Sequence, residues 1–279
     1  MSELELFLKR KEFLVCIDSD GCAMDTMDCK HFRCFGPCAV EEWKLEPWKK
    51  EVLDYWNQVN LYTMTRGANR FLALSMVLEW VHDNCGEIEG VKVFSEWAKE
   101  ARELSNTSVK SQYEKTGEKI FYKALCWSQA VNLSILDLPE ELKKPFDGVK
   151  EGVEMLHGQA DVAIVSSANR EAVVEEWERF SLMGWVDLCL TQTEGSKAWC
   201  IGEMVKKGYT PSHVLMIGDA PGDERAAAQN GVLFYPILVK QEAKSWRRLV
   251  QEAFPRFLEG SYEGAYEAKL KQEFLENLS

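Results

Sequence analysis

The sequence contains no apolar run long enough to cross a lipid bilayer. Its longest apolar stretch runs from Phe71 to Val81, and it is interrupted by Ser75 and Glu79. A membrane-spanning helix needs about 20 consecutive apolar residues. We therefore expect no membrane-spanning segment.

Two other absences bear on location and partners. The N-terminus lacks the basic head and apolar run of a secretory signal peptide. No block of Lys or Arg is present, and 33 basic against 45 acidic side chains give a formal net charge of −12. We therefore expect a cytoplasmic protein that binds neither nucleic acid nor a membrane, although a small anionic substrate is still compatible with this charge.

Paired Cys-x-x-Cys motifs are also absent. Nine cysteines, an odd number in a chain without a secretory signal, indicate reduced thiols rather than a disulfide framework. Five residues still form an unusual cluster near the N-terminus: Cys22, Cys29, His31, Cys34 and Cys38. Their spacing differs from that of typical structural zinc sites, so free thiols are the favoured interpretation and a zinc site is the alternative.

The composition is that of a folded chain. Apolar residues make up 46% of the 279 residues, with 10 Trp and 13 Phe, which is enough for a packed core. The length suits one large domain or two smaller ones.

Strands and helices alternate along much of the chain, which predicts a parallel α/β sheet. Short apolar runs predict strands at 13–17, 162–165, 188–190, 213–217 and 233–236. Helical patterns follow at 149–157, 171–180, 198–207 and 224–230, and an N-terminal helix is expected to end near Arg10. Residues 41–144 are helical in pattern nearly throughout, including 69–81 and 118–138, and they interrupt the α/β region as an insertion.

Polar side chains follow three of these predicted strands. Asp18 and Asp20 follow the first, Ser166 and Ser167 the second, and the segment 218–223, which contains Asp219 and Asp223, the fourth; Lys197 opens a helix between the last two. Parallel sheets bind ligands at the carboxyl ends of their strands. We therefore expect these side chains to converge.

Four carboxylates in one place imply a divalent cation, and an all-oxygen site suits Mg²⁺. A calcium loop is excluded, because Gly21 and Cys29 do not match the positions of its glycine and its bidentate glutamate. With Mg²⁺ and Lys197 present, the site would attract phosphate. An Asp carboxylate could then act as a nucleophile and a second carboxyl could transfer protons.

Taken together, the motifs resemble those of the haloacid dehalogenase-like hydrolase superfamily. The resemblance rests on Asp18-Ser-Asp20-Gly21, Ser166, Lys197 and Gly218-Asp219-Ala-Pro-Gly-Asp223, supported by Pro145-Phe-Asp-Gly-Val149 and Ala226-Ala-Ala-Gln-Asn-Gly231. It covers about residues 10–32 and 145–240. The implied fold is α/β, a Rossmann-like parallel sheet with helices on both faces and an inserted all-α cap. The implied limits are 1–32 and 145–240 for the core, 33–144 for the cap, and 241–279 for C-terminal helices packed on the core.

The resemblance also implies roles for individual residues. Asp18 would be the nucleophile and Asp20 the general acid and base. Asp18, the backbone carbonyl of Asp20, Asp219 and Asp223 would hold Mg²⁺. Ser166, with Ser167 as the less favoured alternative, and Lys197 would hold the phosphoryl group.

The expected activity is Mg²⁺-dependent hydrolysis of a small phosphorylated metabolite through an aspartyl-phosphate. Asp20 favours a phosphatase or phosphomutase over members that cleave carbon–halogen or carbon–phosphorus bonds. A phosphomutase and a non-catalytic ligand-binding protein are the alternatives.

One segment of the insertion carries candidate substrate contacts. Arg66, Asn69 and Arg70 lie at the start of the predicted helix 69–81. Guanidinium groups suit bidentate recognition of anions, so these residues are candidates for binding a carboxylate or second phosphate of the substrate. The competing interpretation is an ion pair or helix-terminus contact within the insertion.

Overall fold

The chain folds into two compact units in a computed structural model that describes residues 3–279. Among the described residues, the sheet unit comprises residues 3–27 and 140–279, and the helical unit comprises residues 28–139. The limits of the units fall a few residues before those expected at 32 and 144. Met1 and Ser2, which belong to the expected N-terminal helix, lie outside the described residues.

The sheet unit is built on five parallel strands in the order β3-β2-β1-β4-β5. The strands are β1 (Phe13–Ile17), β2 (Ala160–Val165), β3 (Leu188–Leu190), β4 (Val214–Gly218) and β5 (Leu233–Pro236). Successive side chains of a strand point to opposite faces, and Leu14 to Ile17 of β1 are all fully buried. Both faces of the central strand are therefore covered, and the α/β fold class is confirmed.

Fifteen α-helices occur within residues 3–279. In chain order they are α1 (Glu3–Leu6), α2 (Met27–Lys30), α3 (Gly36–Trp43), α4 (Lys49–Asn57), α5 (Arg70–Asn84), α6 (Val91–Glu100), α7 (Asn106–Thr116), α8 (Lys119–Leu136), α9 (Val149–Gln159), α10 (Arg170–Arg179), α11 (Lys197–Val205), α12 (Pro221–Gln229), α13 (Glu242–Arg248), α14 (Phe254–Leu258) and α15 (Ala265–Asn277). No helix of this part of the chain is long and apolar enough to span a membrane.

Short helical turns of other kinds connect these elements. The 3₁₀ turns are Glu46–Trp48, Glu140–Leu142, Met183–Trp185 and Pro211–His213, and the π-helical turns are His31–Phe35, Gln58–Tyr62 and Leu249–Ala253. Several expected boundaries were wrong; for example, the helix expected at 224–230 begins at Pro221 and the one expected at 198–207 ends at Val205. The N-terminal helix ends at Leu6 rather than near Arg10, β2 begins two residues before 162, and His213 belongs to a 3₁₀ turn rather than to β4.

The helical unit has its own apolar core, in which two tryptophans are fully buried. Trp56 Nε1 donates to His31 Nδ1 at 3.0 Å, and Trp127 Nε1 donates to the Phe35 carbonyl at 3.1 Å. Both acceptors lie in the π-helical turn His31–Phe35, where the regular helical hydrogen-bond pattern is interrupted. Indole donors thus satisfy groups that an irregular turn places inside the core.

Candidate active site

The register of the sheet places the predicted site residues at one edge. Ile17 of β1 pairs with Ile164 of β2 and with Ile217 of β4. Asp18 lies one residue beyond this row, and Ser166 and Asp219 lie two residues beyond it. Parallel pairing therefore carries the ends of three strands that are distant in sequence to the same edge.

The loop after β1 is a tight turn organised around Ser19. The Ser19 carbonyl accepts hydrogen bonds from the backbone N–H groups of Cys22, Ala23 and Met24 at 3.3, 3.0 and 2.8 Å. Gly21 has a φ of 79°, a conformation that favours glycine. These hydrogen bonds close a tight turn directly after β1, and the turn fixes the backbone that carries Asp18 and Asp20.

Asp18 is buried, with 6% of its surface exposed. Its backbone N–H donates to the Ile217 carbonyl at 3.0 Å and thereby extends the β1–β4 pairing by one residue. Its Oδ1 accepts the Ser19 N–H at 2.8 Å. The carboxylate is therefore held by the backbone of its own loop.

Asp20 is half-buried and has a defined hydrogen-bond partner. The hydroxyl of Thr26 donates to its Oδ1 at 2.5 Å. Thr26 is a residue that the sequence analysis did not single out. It fixes the orientation of the carboxyl that is expected to transfer protons.

Three buried carboxylates come together at this edge. Asp18, Asp219 and Asp223 each place a carboxylate oxygen within 4.8 Å of the others. An all-oxygen cluster of this size has the donor chemistry that Mg²⁺ prefers. The residues present therefore fit a divalent cation.

Lys197 lies between two of these carboxylates. Its Nζ is 2.9 Å from Asp18 Oδ2 and 2.5 Å from Asp223 Oδ1. Burial on its own lowers the pKa of Lys197, but Asp18 and Asp223 outweigh it and the pKa is raised. The ammonium is therefore charged, and the carboxylates hold it at the first residue of α11.

The electrostatics of Asp18 show how crowded the cluster is. Burial raises the pKa of its carboxyl well above the usual value, Lys197 opposes this rise, and the neighbouring carboxylates add to it. One ammonium does not compensate three clustered carboxylates. Further positive charge would stabilise the ionised cluster.

Asp223 occupies space that only a glycine leaves open. A Cβ on Gly218 would lie 2.3 Å from Asp223 Cγ. Asp223 Oδ2 also accepts the Ala220 N–H at 3.0 Å, in the first turn of α12. The Gly-Asp-x-x-x-Asp spacing therefore allows the buried carboxylate to pack directly against the end of β4.

The two serines after β2 differ in environment. Ser166 is buried, its N–H donates to the Leu190 carbonyl at 3.0 Å, and its Oγ accepts the Ala168 N–H at 3.2 Å. Ser167 is exposed. Since Ser166 is the one built into the strand end, it is the better candidate for a fixed phosphate contact.

Two tryptophans contact the Asp18 loop and were not predicted as site residues. Trp177 Nε1 donates to Ser19 Oγ at 3.0 Å, and Trp246 Nε1 donates to the Cys22 carbonyl at 2.9 Å. The sequence placed Trp246 only within the expected C-terminal helices 241–279 and Trp177 only within the predicted helix 171–180. Neither pattern shows which way an indole N–H points.

The cap candidates have partners inside the helical unit. Arg66 is buried and its Nη1 donates to the Leu61 carbonyl at 2.8 Å. Asn69 is the N-cap of α5, where its Oδ1 accepts the Phe71 N–H at 2.9 Å. These contacts match the helix-terminus interpretation and leave a substrate role as a prediction.

Arg70 has neutral partners only, among the described residues. Its Nη1 donates to Ser128 Oγ at 3.0 Å and to Asn132 Oδ1 at 2.8 Å, and its guanidinium lies 5.1 Å from the centre of the Phe35 ring. Burial lowers the pKa of Arg70. Its charge is therefore not neutralised by a carboxylate within residues 3–279.

The cysteine cluster does not form a metal site among residues 3–279. The one group of three or more metal-ligating side chains there is Asp18, Asp219 and Asp223. Cys22 is buried in the sheet unit with its Sγ 3.5 Å from the Ile217 carbonyl, and His31 Nδ1 accepts the Trp56 N–H in the helical unit. Within residues 3–279, the five residues of the cluster are therefore not grouped as a set of metal ligands.

Comparison with known proteins gives the family. The model of the haloacid dehalogenase-like hydrolase family matches residues 87–237, which is more than half of the chain. The chain belongs to this family and is a hydrolase. The matched range contains Ser166, Lys197 and the segment 218–223 but begins after Asp18, which the sheet places at the same edge as Ser166 and Asp219.

Several solved structures resemble the chain. A predicted phosphoglycolate phosphatase from Haemophilus somnus is 14% identical, with a TM-score of 0.47 over 81% of this chain and 85% of that chain. A predicted phosphatase from Clostridium acetobutylicum is 14% identical, with a TM-score of 0.43 over 81% and 85%. YfnB from Bacillus subtilis, bound to magnesium, is 13% identical, with a TM-score of 0.45 over 81% and 86%. No curated protein matches the chain at a significant level.

Proposed function

We propose that the protein is a Mg²⁺-dependent phosphomonoester hydrolase that acts on a small phosphorylated metabolite. The observation that carries this proposal is the cluster of three buried carboxylates with the Lys197 ammonium at 2.9 Å from Asp18. A structural ion pair would match charges one to one, whereas this cluster has an excess of negative charge. Asp20, two residues from Asp18, adds a carboxyl suited to proton transfer.

The metal would be held by Asp18, Asp219, Asp223 and the backbone carbonyl of Asp20. When bound, Mg²⁺ supplies positive charge that offsets the clustered carboxylates and the negative charge of the phosphoryl group. Lys197 and Ser166 would donate hydrogen bonds to phosphoryl oxygens, with Ser167 as the less favoured donor. The phosphoryl group is thereby oriented toward Asp18.

Asp18 then attacks phosphorus. The new bond joins a carboxylate oxygen of Asp18 to phosphorus, the bond from phosphorus to the ester oxygen breaks, and the leaving alcohol takes a proton from Asp20. In the second half-reaction Asp20 removes a proton from water, which attacks phosphorus and releases inorganic phosphate and free Asp18. Thr26 holds Asp20 in place through both steps, since its hydroxyl contacts Asp20 Oδ1.

The helical unit would serve as the cap that selects the substrate. Arg66, Asn69 and Arg70 are its candidate recognition residues, and Arg70 is the strongest of the three because its described partners are neutral. An arginine with neutral partners can still neutralise an anion. We therefore expect the preferred substrates to carry a second anionic group.

Hydrolysis of a panel of phosphomonoesters with and without Mg²⁺ tests this proposal. The panel comprises sugar phosphates, nucleotides and small phospho-acids. We expect activity that EDTA abolishes and added Mg²⁺ restores. Asp18→Asn should lower kcat by a factor on the order of 10⁴ or more, because the nucleophile is lost, while the circular dichroism spectrum is unchanged.

Three outcomes would contradict the proposal. They are sustained hydrolysis by Asp18→Asn, hydrolysis indifferent to EDTA, and absence of hydrolysis across the panel. Transfer of labelled phosphate back to a substrate rather than to water would instead identify a phosphomutase.

A further inference from the structure

Two buried indoles fasten the loop that carries both proposed catalytic aspartates. We propose that Trp177 and Trp246 are positioning residues for the Asp18–Met24 loop, and we call their two N–H contacts the indole clamp. The inference rests on the proposed function, because the clamp is argued to act through Asp18 and Asp20.

The first contact of the clamp is made from α10. Trp177 is fully buried, and so is Ser19, whose Oγ accepts the indole N–H at 3.0 Å. Ser19 stands between Asp18 and Asp20 in sequence, and its own N–H donates to Asp18 Oδ1 at 2.8 Å. A shift of the Ser19 side chain would therefore move the backbone group that orients the nucleophile.

The second contact is made from α13. Trp246 is fully buried, and its indole N–H donates to the Cys22 carbonyl at 2.9 Å. Its ring is packed so closely against α9 that a Cβ on Gly152 would lie 2.8 Å from Trp246 Cε3. The indole is thereby held in one orientation, with its N–H directed at the loop.

The position of both contacts argues for a role beyond fold stability. They hold the loop at Ser19 and at Cys22, which lie on either side of Asp20 and Gly21. The N–H groups of Cys22, Ala23 and Met24 converge on the Ser19 carbonyl between them. A rigid attacking group depends on such supports, and a displacement of about 1 Å can cost about 100-fold in rate.

Trp177→Phe is the direct test, because it keeps an aromatic ring and removes the N–H. We expect kcat to fall about tenfold, which corresponds to about 1.4 kcal/mol in the activation barrier, with KM within about twofold of wild type. Trp127→Phe is the matched control. Trp127 is also fully buried and its indole N–H also donates a hydrogen bond, here to the Phe35 carbonyl at 3.1 Å in the helical unit.

The control should lose a similar amount of thermal stability and retain the wild-type kcat. If Trp127→Phe lowers kcat as much as Trp177→Phe does, the effect follows from stability and the clamp is refuted. An unchanged kcat in Trp177→Phe would refute it as well.

A double-mutant cycle locates the effect at the contact itself. Ser19→Ala should also lower kcat about tenfold, and adding Trp177→Phe to it should cause little further loss, because the two residues act through one hydrogen bond. A double variant whose loss of kcat equals the product of the two single losses would show that the two residues act independently, and it would refute the clamp. Trp246→Phe as a single variant should lower kcat by a smaller factor, because the Cys22 carbonyl is farther in sequence from Asp18 than Ser19 is.

Hydrogen exchange separates the failure of the clamp from the failure of the proposed function. The amides of Cys22, Ala23 and Met24 should exchange about tenfold faster in Trp177→Phe than in wild type, in a measurement that needs no turnover. A wild-type protein without phosphatase activity would refute the proposed function, and the exchange rates would still test the clamp. Unchanged exchange at these amides would refute the clamp whatever the activity.

Discussion

The two units bury charges of opposite sign. The buried acids of the sheet unit are Asp18, Asp161, Glu176, Asp219, Asp223 and Glu267. Within residues 28–139 no acid is buried, and the buried charged side chains are those of Lys30 and Arg66. Among the described residues, buried Asp and Glu side chains therefore occur only in the sheet unit, which also contains the candidate site.

Not all buried acids of the sheet unit are alike. Asp161 Oδ2 accepts the N–H groups of Arg10 and Lys11 at 2.9 and 3.0 Å and the Tyr209 hydroxyl at 2.5 Å. One oxygen of that carboxylate therefore has three donors, as expected for an acid that stabilises the fold, while its buried Oδ1 has no hydrogen-bond partner among residues 3–279. Asp18, Asp219 and Asp223 instead lie within 4.8 Å of one another, and Lys197 pairs with Asp18 and Asp223. The two kinds of buried acid therefore differ in their neighbours: Asp161 is held by hydrogen-bond donors, whereas Asp18, Asp219 and Asp223 lie close to one another.

Among the variants that test this contrast, Lys197→Met should have the largest effect. It removes the ammonium that lies between Asp18 and Asp223, so we expect kcat/KM to fall about 1,000-fold. The metal-free protein should also lose about 3–5 kcal/mol of stability, because a buried charge pair is broken. Steady-state kinetics and thermal unfolding with and without Mg²⁺ measure both, and added Mg²⁺ should restore part of the lost Tm.

Lys206→Met is the control for this variant. Lys206 is exposed and pairs with Glu203 at the end of α11. It should leave both kinetics and Tm close to wild type. Full activity in Lys197→Met would contradict the proposal that the cluster of Asp18, Asp219 and Asp223 differs in role from Asp161.

Gly218→Ala should have the next largest effect. The added Cβ would collide with Asp223, which Lys197 and the Ala220 N–H hold in place. We expect Mg²⁺ affinity or activity to fall about 10- to 100-fold, measured by activity against Mg²⁺ concentration.

The matched control is Gly158→Ala in α9. A Cβ there meets nothing within 4 Å, so the change should be neutral or stabilise the helix by about 1 kcal/mol. Wild-type Mg²⁺ dependence in Gly218→Ala would show that Asp223 is not needed at its observed position.

Arg70→Met tests whether the helical unit contributes binding without chemistry. We expect KM for a substrate with a second anionic group to rise about tenfold, with kcat retained, because a uniform binding contact is removed. Phosphomonoesters without that group should show no change. Arg102→Met, at an exposed position of the same unit, is the control. A fall in Tm with unchanged KM would assign Arg70 to fold stability alone.

The smallest effect is expected from Ser105→Ala. Ser105 caps α7, and its Oγ accepts the Ser108 N–H at 3.2 Å. Loss of the cap should cost about 1 kcal/mol of unfolding free energy and leave kcat/KM unchanged. Ser111→Ala, at an exposed interior position of α7, should not destabilise. A lower kcat in Ser105→Ala would contradict the assignment of the chemistry to the sheet unit, because Ser105 lies in the helical unit.

Much of the sheet unit could be predicted because its signals are local. The continuous apolar run 13–17 defines β1 within the observed bounds, since a parallel strand is buried on both faces. The aspartates and serines directly after such runs identify the candidate edge, because strand ends of a parallel sheet lie together. Boundaries were less accurate where tertiary contacts decide them. His213, for example, was expected in β4 but belongs to the 3₁₀ turn Pro211–His213.

The sequence by itself determined the α/β alternation, the order of the motifs and the residue types that converge at one edge, because periodicity and strand-end position are properties of neighbouring residues. Only the tertiary structure decided which groups support that edge. The indoles of Trp177 and Trp246 reach the Asp18 loop from 158 and 224 positions away, and Arg70 finds neutral partners 58 and 62 positions away. The direction of a single N–H in a packed core depends on the packing of whole helices, and no local pattern encodes it.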